Sequence, residues 1–192
     1  HGFFWSFLDS FGIYFIKFGF SIAIARALVP KDYGLVGMMA IFIAISEMLI
    51  DSGFLSALVQ KKDTDNTDYS TIFWFNFVLA SVLYLLLFVF ASTIARFFGQ
   101  PILVKITRIS SLGIILSSLC VVQVSMILKN FQFKRQAAIN FISALTSGTV
   151  GVFLAYNGFG VWALVFMSLA GGTVRVVLFW IINKWRPKFI FN

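Results

Sequence analysis

A chain of 192 residues in which 60% are hydrophobic and only 11% charged is too apolar for a water-soluble domain, where about a quarter of residues carry charge. The net charge of +8 sits in joints between apolar spans, with no basic patch interleaved with exposed aromatics. That argues against nucleic acid as a partner and assigns the cations to topology and anionic membrane lipids.

Six apolar stretches lie near 3–28, 34–59, 70–95, 106–128, 137–156 and 160–183. Each is long enough for the about 20 residues that cross a hydrocarbon core. They predict an all-α integral membrane protein, a bundle of six transmembrane helices. The chain opens on His1 with no charged n-region or small-residue cleavage site. It reads as a piece of a longer protein rather than a signal peptide plus domain.

In the first span, Ser6, Ser10, Tyr14, Lys17 and Ser21 fall within about 80° on a helical wheel. A lysine at the bilayer centre costs roughly 2.5–3.5 kcal/mol, so Lys17 is expected to face water or a counter-charge inside the bundle. The stripe is read as a cavity lining in preference to a structural polar seam. Gly19, Ala23 and Ala27 form a small-residue stripe for helix contact. Pro30-Lys31-Asp32 stands where a re-entry turn is expected, since proline does not continue a helix.

The second span carries Gly37, Ala40, Ala44, Glu47 and Asp51 on one face. Lys17 and Glu47 reach similar depth if the first two spans are antiparallel neighbours, and two readings stay open. One is a structural ion pair; the other has Glu47 or Asp51, raised in pKa by desolvation and mutual repulsion, binding a proton or Na⁺. Asp51 alternatively lies at the cytoplasmic interface.

Asp63-Thr64-Asp65-Asn66-Thr67-Asp68 offers N-cap candidates for the third span, and this explains Asp63-Thr64-Asp65 better than a glycosyltransferase-like Asp-x-Asp does. Asn76, Gln123 and Asn140 are expected to make interhelical hydrogen bonds. Gly99-Gln100-Pro101 breaks the chain before the fourth span, which holds the single cysteine, Cys120; it allows no intrachain disulfide and no cysteine metal cluster. The fifth repeats Ser143, Ser147, Gly151 and Ala155 every four residues, a packing stripe, and Asn157-Gly158 turns into the sixth. There Arg175 shares a face with Ser168, Gly171 and Gly172. An arginine among small residues suits a phosphate or carboxylate; the alternative is a side chain reaching the interface.

With the N-terminus cytoplasmic, the cytoplasmic joints hold eight Lys and Arg and the outer joints five, which favours that orientation. No nucleotide-binding glycine loop, Ser/His/Asp combination or metal-ligand spacing is present, so the sequence points to no catalytic residue, no cofactor, no metal and no enzyme.

The run Ala25-Arg26-Ala27-Leu28-Val29-Pro30-Lys31-Asp32-Tyr33-Gly34-Leu35 resembles the A-R-x-L-x-P-x-D-[FY]-G signature after the first helix of oligosaccharide flippases. These are the Wzx-type exporters of the multidrug/oligosaccharidyl-lipid/polysaccharide superfamily. The likeness continues through Asp51-Ser52-Gly53-Phe54-Leu55-Ser56-Ala57-Leu58-Val59-Gln60-Lys61-Lys62-Asp63, Phe73-Trp74-Phe75-Asn76, Ala95-Arg96-Phe97-Phe98, Phe131-Gln132-Phe133-Lys134-Arg135 and Gly160-Val161-Trp162-Ala163-Leu164. Within that family the chain resembles the colanic-acid-exporter subgroup.

The resemblance implies that residues 1–192 form the N-terminal lobe of a two-lobed transporter of roughly 12–14 helices, in the bacterial inner membrane. It implies a cargo of undecaprenyl-diphosphate-linked oligosaccharide, flipped by alternating access for surface polysaccharide synthesis, with polysaccharide polymerase and assembly proteins as further partners. Cavity cations of that family map by position to Lys17, Arg26 and Arg175. For such a cargo Lys17 and Arg175 are expected to supply fixed positive charge and Ser6, Ser10, Tyr14 and Ser21 the partners for sugars, while Glu47 and Asp51 are the candidates for coupling to an ion gradient. Two other readings compete: a cation-coupled drug or metabolite antiporter of the same superfamily, and a non-transporting scaffold of a polysaccharide assembly complex.

Overall fold

The computed structural model describes residues 2–50, 58 and 65–189, and for 2–14 the backbone alone. The described residues form seven helices and no strand: α1 (Gly2–Ala27), α2 (Pro30–Ile50), α3 (Asn66–Phe97), α4 (Leu103–Ser110), α5 (Leu112–Lys129), α6 (Phe133–Tyr156) and α7 (Val161–Ile182). Five segments are long and apolar enough to cross a membrane, α4 and α5 counting as the single span Leu103–Lys129. The 26 residues of α1 rise about 39 Å, also more than a hydrocarbon core of about 30 Å. The chain is a multi-pass, all-α membrane bundle.

Two boundaries differ from expectation. Pro30 is the first residue of α2, and the turn from α1 is only Leu28-Val29. Proline's missing N–H costs nothing at that position, where the amide has no intrahelical partner anyway. The carboxylate of Asp32, in the first turn of α2, accepts the Val29 N–H at 3.4 Å. The fourth span is not one helix: it breaks at Ser111. The hydroxyls of Thr107 and Ser111 bond back to the carbonyls of Leu103 and Thr107, and side-chain competition of this kind bends a helix.

Other joints fall where expected. Asp65 precedes α3 as its N-cap, its own N–H held by Asp68 Oδ2 at 3.2 Å. After α3, Gly99 takes φ +62° while Gln100 N–H bonds Ala95 O at 3.0 Å, a glycine-terminated helix end that satisfies the last carbonyls. Beyond Ile50 the second span lies outside the described residues except Leu58, which is buried.

Helix α6 is the hub of one side, lying antiparallel on α7 and parallel to α1. The small-residue stripe of α6 makes this approach work. A methyl on Gly148 would overlap the Phe20 ring of α1, and one on Gly151 would crowd Ile24 and Met167. Ser147 donates to Met167 O at 2.9 Å and faces Gly171. Of the α1 stripe only the Ala27 end packs; Gly19 has open space around it. On the other side α3 packs against α4 and α5, and α5 against α7. Helix α2 touches α3, α4, α5 and α7, each over a narrower strip.

The amides of Asn76 and Gln123 are fully buried yet make no hydrogen bond among the described residues, contrary to the expected interhelical bonding. Between α5 and α7 that bond comes instead from Asn183, which donates to the backbone carbonyl of Gln123 at 3.0 Å. The segment after α7 turns back across the start of α3. Trp74 Nε1 donates to Lys188 O at 3.1 Å, Lys188 N–H to Ser70 Oγ at 3.1 Å, and Trp185 sits edge-on to Tyr69 and Phe73.

Candidate functional site

Helix α2 meets α7 at their first turns, where the Asp32 carboxylate lies against Gly160. Leu35 and Met39 then join Val161 and Val165 in one buried cluster. The two helices therefore run parallel. Fifteen residues further along each of them stand Glu47 and Arg175, both about 22 Å deeper at 1.5 Å per residue.

Those two side chains line one cavity of about 570 Å³ between α2, α4–α5 and α7. Its wall on α2 is the small-residue face read from sequence: Ala40, Ala44 and Glu47. On α7 it is Ser168, Gly172 and Arg175, the expected face without Gly171, which packs against Ser147 of α6. The third wall, Ser110, Gly113, Ser117 and Cys120, was not singled out. Its signal is the 3-4-3 spacing of small residues, one face of a helix. Among the described residues no aromatic ring lines the space, although the chain has 25 Phe.

Arg175 is exposed to the cavity, its guanidinium carbon 5.6 Å from the Phe179 ring centre. Among the described residues it makes no hydrogen bond or ion pair. Glu47 Oε1 lies 3.5 Å from the Ser117 hydroxyl, which points its donor at it. A carboxylate, a guanidinium and three hydroxyls in a largely aliphatic space can hold a small anion or exchange protons with water.

The α1 residues stand apart from this cavity. Lys17 and Ser21 are exposed and absent from its lining. The expected pairing of α1 with α2, and with it a Lys17–Glu47 contact, does not occur, because the Phe20–Gly148 and Ile24–Gly151 seams commit α1 to α6. Lys17, Ser21, Ile24 and Leu28 share about 60° of the α1 wheel; this side is sealed at Ile24 and Leu28 and open at Lys17 and Ser21. Arg26 is exposed about 180° round the helix from Lys17. The side chains of Ser6, Ser10 and Tyr14, and Asp51 altogether, lie outside the described residues.

The chain is 30% identical over 98% of its length to the succinoglycan biosynthesis transport protein ExoT of Rhizobium meliloti, of which it covers 38%. It is 25% identical over 77% of its length to the teichuronic acid biosynthesis protein TuaB of Bacillus subtilis, covering 31% of that protein. Identity to the lipopolysaccharide biosynthesis protein WzxC of Escherichia coli is 22% over 88% of the chain and 35% of that protein. The chain thus spans about a third of the length of these curated relatives. No solved structure matches it. With residues 23–192 matching the family as a continuous run, the chain belongs to the polysaccharide biosynthesis protein family.

Proposed function

We propose that the chain forms the first lobe of a two-lobed exporter that moves undecaprenyl-diphosphate-linked oligosaccharide from the cytoplasmic to the periplasmic leaflet of a bacterial inner membrane by alternating access. One observation carries the reading: Arg175, without a partner among the described residues, faces an aliphatic cavity inside a membrane-spanning bundle. A guanidinium remains charged at any working pH and its paired donors match phosphate oxygens. An intramembrane charge of this kind is costly unless it serves a pathway or a ligand.

In this reading Arg175 holds the diphosphate, and the aliphatic walls accept the first isoprenoid units. Lys17 and Ser21, with Ser10 and Tyr14 on the same α1 stripe in sequence, meet sugar and phosphate on the side turned to the second lobe. Arg26, on the opposite face of α1, meets phosphate near the membrane surface. Glu47 and Asp51 couple transport to an ion. The N-terminus is cytoplasmic, as the eight-to-five distribution of cations favours, and polymerase or assembly proteins take the flipped product.

Glu47 inside the cavity with Lys17 outside it favours a second reading, the cation-coupled antiporter of a small substrate. Proteoliposomes containing the whole protein separate the two. Arg175→Ala and Lys17→Ala should each abolish translocation of lipid-linked oligosaccharide while leaving the protein folded. Normal translocation in both variants would reject the assignment. Loss only in Glu47→Gln, with a small cationic substrate, would select the antiporter.

A further inference from the structure

We propose that the groove between α3 and α4 binds the headgroup phosphate of an anionic membrane phospholipid, with Arg108 as its anchor. The site lies apart from the Arg175 cavity, whose lining holds neither Arg108 nor any residue of α3. It stands whether or not the bundle moves a saccharide.

Arg108 lies on α4 against α3. Its Nε donates to the Phe88 carbonyl at 3.4 Å, and its guanidinium carbon stands 4.3 Å from the Phe88 ring centre. Those contacts use one nitrogen and one face of the group. Both Nη groups, the paired donors that match phosphate oxygens, make no hydrogen bond or ion pair among the described residues. An arginine that only snorkels extends along its helix towards water. This one is held on α3 with its fork open.

The depth suits a lipid phosphate. The 32 residues of α3 rise about 48 Å, about 18 Å more than a hydrocarbon core of about 30 Å. Phe88 stands nine residues before the end of α3 at Phe97, about 13 Å down the helix. With the excess shared between both ends of α3, the guanidinium falls about 5 Å inside the hydrocarbon boundary. A charge at that level is costly without a counter-ion, and the headgroups directly above supply one.

Two more cations stand between Arg108 and that end of the bundle. Lys105 is one turn back along α4, within about 60° of Arg108 on the wheel, and Arg96 is in the last turn of α3, within about 80° of Phe88. Both are exposed, and neither side chain makes a hydrogen bond or ion pair among the described residues. Three cations on one groove favour a lipid of net negative charge. Leu85 and Leu112, the next residues into the membrane on these faces, are exposed and suit its acyl chains.

The test is native mass spectrometry of the whole protein in detergent, titrated with phosphatidylglycerol. Arg108→Gln should weaken binding of the tightest lipid about tenfold. Lys31→Gln removes an exposed cation from the first turn of α2, outside the groove, and should stay within about twofold of wild type. Equal losses in the two variants would show diffuse surface attraction and overturn the site. No loss in Arg108→Gln, or wild type that retains no phosphatidylglycerol, overturns it too. If inorganic phosphate competes as well as the lipid does, the site takes free phosphate and the lipid assignment falls. Should circular dichroism show Arg108→Gln unfolded, Lys105→Gln is read in its place: binding about fivefold weaker supports the groove, and unchanged binding overturns it.

Discussion

The carboxylate of Asp32 and the backbone of Gly160 lie against each other, so that a methyl on Gly160 would sit 3.5 Å from Asp32 Oδ1. Two stretches 128 residues apart in sequence thereby meet at the first turns of α2 and α7. The negative charge lies at the positive ends of both helix dipoles, and Gly160 adopts φ +55° and ψ −132°, a conformation open to glycine and strained for other residues.

Gly160→Ala is expected to destabilise the protein by about 1–3 kcal/mol through backbone strain, and Asp32→Ala by about 1 kcal/mol through loss of the Val29 acceptor and the dipole contact. Thermal unfolding in detergent measures both. A Gly160→Ala melt that matches wild type would show that the strained turn is not held by this contact.

Gly148 gives a sharper test of the α1–α6 seam. Gly148→Leu should destabilise by about 1–3 kcal/mol by overpacking, since the Phe20 ring occupies the place of its Cβ. Phe20→Ala should recover part of the loss in the double variant. Additive losses in the cycle would place the two residues out of contact.

Cys120 reports on the cavity. It is buried from outside yet lines the space beside Arg175. With Cys120 as the sole thiol, a small anionic methanethiosulfonate should react at least about threefold faster, relative to a cationic one of similar size, than in Arg175→Gln, because the guanidinium draws the anion in. An unchanged ratio would remove Arg175 from the cavity.

The aromatic strap after α7 is expected to behave as part of α3. Trp74→Phe removes the bond to Lys188 O and should cost about 1 kcal/mol. Trp185→Ala, which also empties the space beside Tyr69 and Phe73, should accelerate amide exchange across residues 184–189 and the first turns of α3 together. Faster exchange in the strap alone would show that it does not brace α3.

Apolar length and turn residues made the six-span architecture legible, because a bilayer admits few structures besides helices of that length. Helix faces were legible too: Ala40–Ala44–Glu47 and Ser168–Gly172–Arg175 each follow from a period of 3.6. Which helices become neighbours was not. By sequence Lys17 answers Glu47 only if α1 and α2 are neighbours, and nothing local announces that Phe20 fits over Gly148. Pro30 misled for a related reason: the same residue ends one helix or begins another depending on where the preceding turn closes. The break at Ser111 needed both hydroxyls, Thr107 and Ser111, to turn back on the backbone, and each alone is unremarkable in a membrane helix.

The missing side chain at Gly148 gives α1 a fulcrum. From Phe20 to Gly2 the helix runs on for eighteen residues, a lever arm of about 27 Å. A tilt of about 10° where the ring rests on bare backbone would sweep its N-terminal tip about 5 Å, carrying Lys17 with it, while Leu28 and the short turn into α2 hold nearly still.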